Sequence, residues 1–123
     1  MTSFTNILPL AVFATMLAVG QLLFKQVGLS IRGLPLIDGL SMIARHPTLY
    51  VALAIYGLST ALWIWILSRV PLAEAYPWVA IGVVIVPIMG WWVFGERLNA
   101  MFWIGVAFVL VGIIIIQYAS ISR

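Results

Sequence analysis

Four long apolar runs constrain this chain more than anything else in its sequence. They cover about residues 7–24, 48–67, 73–94 and 100–118, and Glu74 is the single charged residue inside them. A bilayer core about 30 Å thick is crossed by roughly 20 predominantly apolar residues in a helix, which is about the length of each run. The runs are continuous rather than alternating, and a helix satisfies its own backbone groups in lipid, so helices are expected rather than strands. Composition closes the other routes. Of the 123 residues, 65% are hydrophobic and 7% charged, against about 25% charged in a soluble domain. So few polar groups cannot coat a water-soluble core, and disorder needs the opposite composition. The expected fold is an all-α membrane protein, a single domain over 1–123 with four transmembrane helices.

The punctuation between the runs agrees. Pro47 suits the first turn of the second helix, and Asn99 suits the N-cap of the fourth. Pro87, with Gly82 and Gly90, predicts a kink inside the third. The first run lacks a basic leader and is long, so it reads as a mature span rather than a signal peptide. Residues 28–46 are too polar to span. Within Leu34–Ala44, Leu36, Leu40 and Ile43 share a face while Asp38 and Ser41 lie elsewhere, which predicts a short interfacial helix; a plain loop is the alternative.

Four spans place both termini on one side. Lys25, Arg32, Arg45 and Arg97 belong to the 1–2 and 3–4 loops, against Arg69 and Arg123 opposite. The positive-inside rule then puts those two loops in the cytoplasm and both termini outside. Trp91, Trp92 and Trp103 are expected near one interface and Trp78 near the other.

Little is available for covalent chemistry. The acids are Asp38, Glu74 and Glu96, His46 is the only histidine, and cysteine is absent. No thiolate, metal centre, cofactor site or Ser-His-Asp triad is expected, and the chain is read as no enzyme. The net charge of +3 suits anionic membrane lipid better than nucleic acid. Proton-coupled export needs a carboxylate titrating within the membrane, and no span carries one near its centre.

Several residues remain as site candidates, each with a structural alternative. Gln21 and Lys25 are four apart and share a helix face. An amide and an ammonium at that depth could hold a lipid phosphate; otherwise Lys25 snorkels and Gln21 bonds a neighbouring helix. Glu74 and Tyr76 open the third span, with Arg69 nearby. They could meet a polar headgroup, or Glu74 could simply complement the helix dipole. Trp63, like Trp65, could wall a ligand or pack against helices and lipid. Glu96 and Arg97 are expected to pair locally in a turn. Gly105 and Gly112, seven apart on the fourth span, would let another helix approach closely, either across a dimer or within the chain. Four helices fill their own centre, so transport implies two copies or a partner subunit, with an oppositely oriented pair as the compact solution.

These motifs resemble the small multidrug resistance family of the drug/metabolite transporter superfamily, over most of the chain. The resemblance lies in Pro71-x-x-x-Ala75-Tyr76, Gly95-Glu96-Arg97-Leu98 and the Gly105/Gly112 spacing. A closer similarity is to the small flippase subunits that move aminoarabinose-phosphoundecaprenol. It rests on Gly20-Gln21-Leu22-Leu23-Phe24-Lys25-Gln26, Ala75-Tyr76-Pro77 and Gly105-Val106-Ala107-Phe108. The drug exporters carry a membrane-embedded Glu three residues before the glycine that matches Gly20. Here that position is Leu17, and Val79 replaces an aromatic residue of the third span. The resemblance therefore implies a polyprenyl-phosphate glycolipid as cargo, a bacterial inner-membrane location, and a homodimer or a heterodimer with a paralogous four-helix subunit. It also implies that Lys25 meets the phosphate, Gln21 the phosphate or sugar, and Glu74 with Tyr76 the sugar. A small-cation exporter of the same fold and a non-transporting subunit of a glycolipid-modifying complex are the alternatives.

Overall fold

The structure, a computed structural model, describes residues 4–122, and among these every regular element is an α-helix. The helices are α1 (Phe4–Ser30), α2 (Leu36–Arg45), α3 (Pro47–Leu67), α4 (Leu72–Ala80), α5 (Gly82–Phe94) and α6 (Ala100–Ile121). Four stretches are long and apolar enough to cross a membrane: Thr5–Ser30, Pro47–Leu67, Leu72–Phe94 and Ala100–Ser120. The third joins α4 to α5, and α2 is the short helix between the first and second. The protein is a four-span, all-α membrane protein.

Local chemistry sets the helix ends. The Asn99 side chain accepts the Phe102 N–H at 2.9 Å, capping α6. His46 caps α3 in the same way, its Nδ1 accepting the Thr48 N–H at 3.3 Å, with Pro47 in the first turn. Gly95 ends α5 at φ 67°, a left-handed conformation that glycine adopts without Cβ strain. Two boundaries depart from the sequence reading. Helix α1 continues past Lys25 to Ser30, because a charge ends an apolar run but its aliphatic stem can lie along a helix that goes on. The third span is interrupted at Ile81, ahead of Gly82, and α5 runs through Pro87, so the interruption is not at the proline. Glycine at 82 lowers helix propensity where the two pieces meet.

The bundle is organised by α1, which packs most extensively on α3 and also on α4 and α5. Helix α3 buries Ala52, Ser59 and Ile66, positions seven apart that form one stripe. Ala14 and Ala18 of α1 are buried as well. Small residues of this kind let membrane helices approach closely, where lipid supplies no hydrophobic drive. Ser59 donates to the Ile55 carbonyl at 2.7 Å, so its buried hydroxyl is satisfied within its own helix. The larger side chains Leu10, Phe13, Ile66 and Val70 cluster around Ala75 at one end, with Trp63 and Trp78 packed against them. Trp78 is thus part of the packing and not only a border marker. Tyr50 ties the base of α3 to α2 by donating to the Ala44 carbonyl at 2.6 Å. Leu36, Ile37 and Leu40 on α2 are exposed, the amphipathic display expected of a helix lying along a membrane. Helix α6 packs chiefly on α4 and leaves Phe108, Ile114 and Ile115 facing outward.

Candidate functional site

The packing of α1 against the third span is parallel and can be followed residue by residue. Leu10 and Phe13 lie with Ala75. Leu17 and Ala18 border one cavity with Val79 and Gly82, and Gln21 and Lys25 border the next with Val86, Gly90 and Glu96. The polar groups of α1 therefore stand at the end of the bundle formed by the last turns of α5.

Two glycines make room for the groups that gather there. A Cβ on Gly20 would lie 2.2 Å from the ring of Tyr56, so only glycine lets that ring rest on the α1 backbone. Seated there, Tyr56 meets Phe24 with centroids 5.0 Å apart, and its hydroxyl accepts a hydrogen bond from Gln21 Nε2 at 2.5 Å. The second glycine is Gly90. After the left-handed turn at Gly95 the chain folds back, and Glu96 Oε2 sits 2.8 Å from where a Gly90 Cβ would be. The other carboxylate oxygen, Oε1, lies 2.8 Å from Lys25 Nζ. The expectation that Glu96 pairs with Arg97 is corrected here: the turn directs Glu96 back across Gly90 to Lys25.

The Lys25–Glu96 pair and Gln21 line a cavity of about 590 Å³ whose other walls are mainly apolar, including Leu22, Phe24, Val86, Phe94 and Phe102. A second cavity of about 520 Å³ shares Gln21, Val86, Pro87 and Phe102 with the first and extends toward Ala14. Leu17 and Val79 line this deeper part. Both positions at which the chain departs from the drug exporters thus face one space, and they make it apolar. The arrangement offers a cation, an anion and an amide at one end of an apolar hollow. It suits a charged headgroup attached to an apolar tail.

The remaining candidates lie elsewhere. Phe13, beside Ala75, is separated from Lys25 by roughly 18 Å along α1 at about 1.5 Å per residue. Glu74 and Tyr76 flank Ala75, so the structure does not bring them to Lys25. Glu74 is half-buried, and its backbone carbonyl accepts from Gln117 Nε2 at 3.1 Å. Tyr76 is exposed. The Arg69 guanidinium lies over the Trp65 ring, 3.8 Å from its centroid. Trp63 stacks on Phe13, with centroids 4.6 Å apart, as part of the apolar cluster. Gly105 and Gly112 meet nothing within 4 Å where a Cβ would be, so neither is pressed against another helix of the chain. Arg123, counted in the charge asymmetry, lies outside the described residues.

Sequence reasoning overlooked Tyr56 altogether and assigned Glu96 to a local turn. The available signals were a tyrosine well inside the apolar second span and the Gly20-Gln21 pair. Neither reveals a contact between helices.

The EamA-like transporter family model matches residues 2–118. The chain belongs to this family. Among curated relatives, it is 37% identical to a protein of Serratia proteamaculans over 80% of the chain and 83% of the relative. It is 31% identical to one of Pectobacterium atrosepticum over 87% and 93%, and 34% identical to one of Salmonella paratyphi C over 89% and 95%. All three bear the name "Probable 4-amino-4-deoxy-L-arabinose-phosphoundecaprenol flippase subunit ArnE". No solved structure matches the chain significantly. In this EamA-like protein, the charged cavity between α1 and α5 is the site around which a transport function can be built.

Proposed function

We propose that the protein is a subunit of a flippase that moves a polyprenyl-phosphate-linked sugar across the bacterial inner membrane. The observation that carries this reading is the cavity itself, where Lys25 and Gln21 present an ammonium and an amide above apolar walls. The relatives named as flippase subunits support the same cargo class. Lys25 receives the phosphate and Gln21, held by Tyr56, bonds phosphate or sugar. The prenyl tail stays in lipid, so only the headgroup crosses, and no covalent step is required.

The second polar group, Glu74 with Tyr76 and Arg69, stands at the far end of the third span and takes the headgroup as it leaves. Trp63 packs on Phe13 at that same end. The cation-rich end, with Lys25, Arg32, Arg45 and Arg97, faces the cytoplasm, so the cargo enters from the inner leaflet. A second chain, either another copy or a paralogous four-helix subunit, packs along Gly105 and Gly112 and completes the path.

The test is reconstitution. Protein in liposomes with a labelled sugar-phosphoundecaprenol should speed exposure of the headgroup to a membrane-impermeant reagent, and Lys25→Ala should abolish the acceleration. Equal rates with and without the folded, dimeric protein would contradict transport by this chain and favour a scaffolding subunit.

A further inference from the structure

We propose that the Lys25–Glu96 ion pair selects zwitterionic headgroups, which carry an amine as well as a phosphate, over lipids that carry the phosphate alone. The inference rests on the reading of Lys25 as the phosphate contact and assigns a second recognition group to that site. The pair holds its charges 2.8 Å apart on the cavity wall, so Lys25 is already neutralised before cargo arrives. A phosphate that takes Lys25 either shares the ammonium with Glu96 or displaces it, since the ammonium has three donors, and in both cases it lies beside the carboxylate. If the lipid is a simple anion, the carboxylate faces a like charge and shares or loses its cation, which is unfavourable even for a pair that is partly exposed. If the lipid also carries an ammonium, both protein charges find new partners in one exchange: phosphate on Lys25, ammonium on Glu96.

Geometry makes Glu96 the acid suited to this role. It lies on the same cavity as Lys25, whereas Glu74 belongs to the opposite end, roughly 18 Å farther along α1 by helical rise. A single sugar phosphate cannot reach both Lys25 and Glu74 at once. Gly90 leaves the space in which the carboxylate sits beside Lys25, and the left-handed turn at Gly95 directs it there. Discrimination then follows from a repulsive element as well as an attractive one: the carboxylate that welcomes the amine also disfavours the amine-free carrier lipid.

The experiment compares a matched pair of lipids on the full-length protein in nanodiscs: amino-sugar phosphoundecaprenol and its N-acetylated form, which differs in losing the positive charge. Wild type should bind the amine form about tenfold or more tightly, corresponding to some 1.4 kcal/mol. Glu96→Gln should shrink that preference, weakening the amine form and tightening the acetylated one. Lys25→Ala should weaken both forms. Equal wild-type affinity for the two lipids overturns the proposal without any variant, as does a preference unchanged in Glu96→Gln. If Lys25→Ala leaves both affinities intact, the phosphate reading beneath the proposal fails as well. Loss of preference in Glu96→Gln with Lys25→Ala still weakening both lipids confirms the two together.

Discussion

The two ends of the bundle are held together differently. Where α1 begins, large apolar side chains interlock: Leu10, Phe13, Ile66 and Val70 are buried around Ala75, and Trp63 stacks on Phe13. Where α1 ends, the links between helices include polar pairs, Gln21 to Tyr56 and Lys25 to Glu96, and a cavity remains between them. Dispersion between well-packed side chains is the main cohesive force available in lipid, because burial from one apolar medium into another gains little. The packed end therefore supplies rigidity. The open end keeps charged groups that can exchange partners with a ligand at small structural cost. A transporter needs both, and here they are separated along one helix.

Substitutions can break this division. The largest effect is expected from Phe13→Ala, which removes the ring from the packed end. It should cost about 3 kcal/mol, near the low end for Phe→Ala because lipid contributes little transfer energy. Thermal unfolding in detergent should show the loss, while the folded fraction keeps its headgroup affinity. Gly20→Ala should follow, at about 1–3 kcal/mol for overpacking, because its Cβ collides with the Tyr56 ring. It should also lower transport by pulling Tyr56 from Gln21, so it strikes both properties. Lys25→Ala should leave unfolding almost unchanged yet reduce headgroup binding at least about tenfold, as loss of a hydrogen bond to a charged group implies. Tyr56→Phe deletes the acceptor for Gln21 and should cost about 1 kcal/mol in the same binding assay. Smallest of all, Arg69→Ala removes an exposed cation–π contact worth about 0.5–1 kcal/mol. A loss of headgroup binding in Arg69→Ala as large as that in Lys25→Ala would remove the distinction between the ends.

The parts of this architecture visible in the sequence are those written in local periodicity. Uninterrupted apolar runs mark the spans, Asn99 marks the start of α6, and the spacing of Leu36, Leu40 and Ile43 marks α2. The remainder depends on which helices meet. Lys25 and Glu96 are far apart in the chain, and only the parallel register of α1 against the third span brings them together. The acids at 74 and 96 look alike in sequence, one at each border of an apolar run. What separates them is the left-handed turn at Gly95 and the absence of a side chain at Gly90, which send Glu96 back into the cavity. Gly20 is similar: its significance lies in the Tyr56 ring resting on it, a contact no spacing reports. Helix α1 outran its expected end because a lysine in its course interrupts hydropathy but not hydrogen bonding.

The most direct measurement is photo-crosslinking with a polyprenyl-phosphate sugar bearing its reactive group in the headgroup, followed by mapping of the labelled peptides. The account predicts adducts on the second half of α1, around Gln21 to Gly28, and on the residues from Val86 to Leu98 that face them, with labelling lost in Lys25→Ala. Adducts confined to the Glu74–Tyr76 end, or spread along the outward face of α6 and insensitive to Lys25, would contradict it.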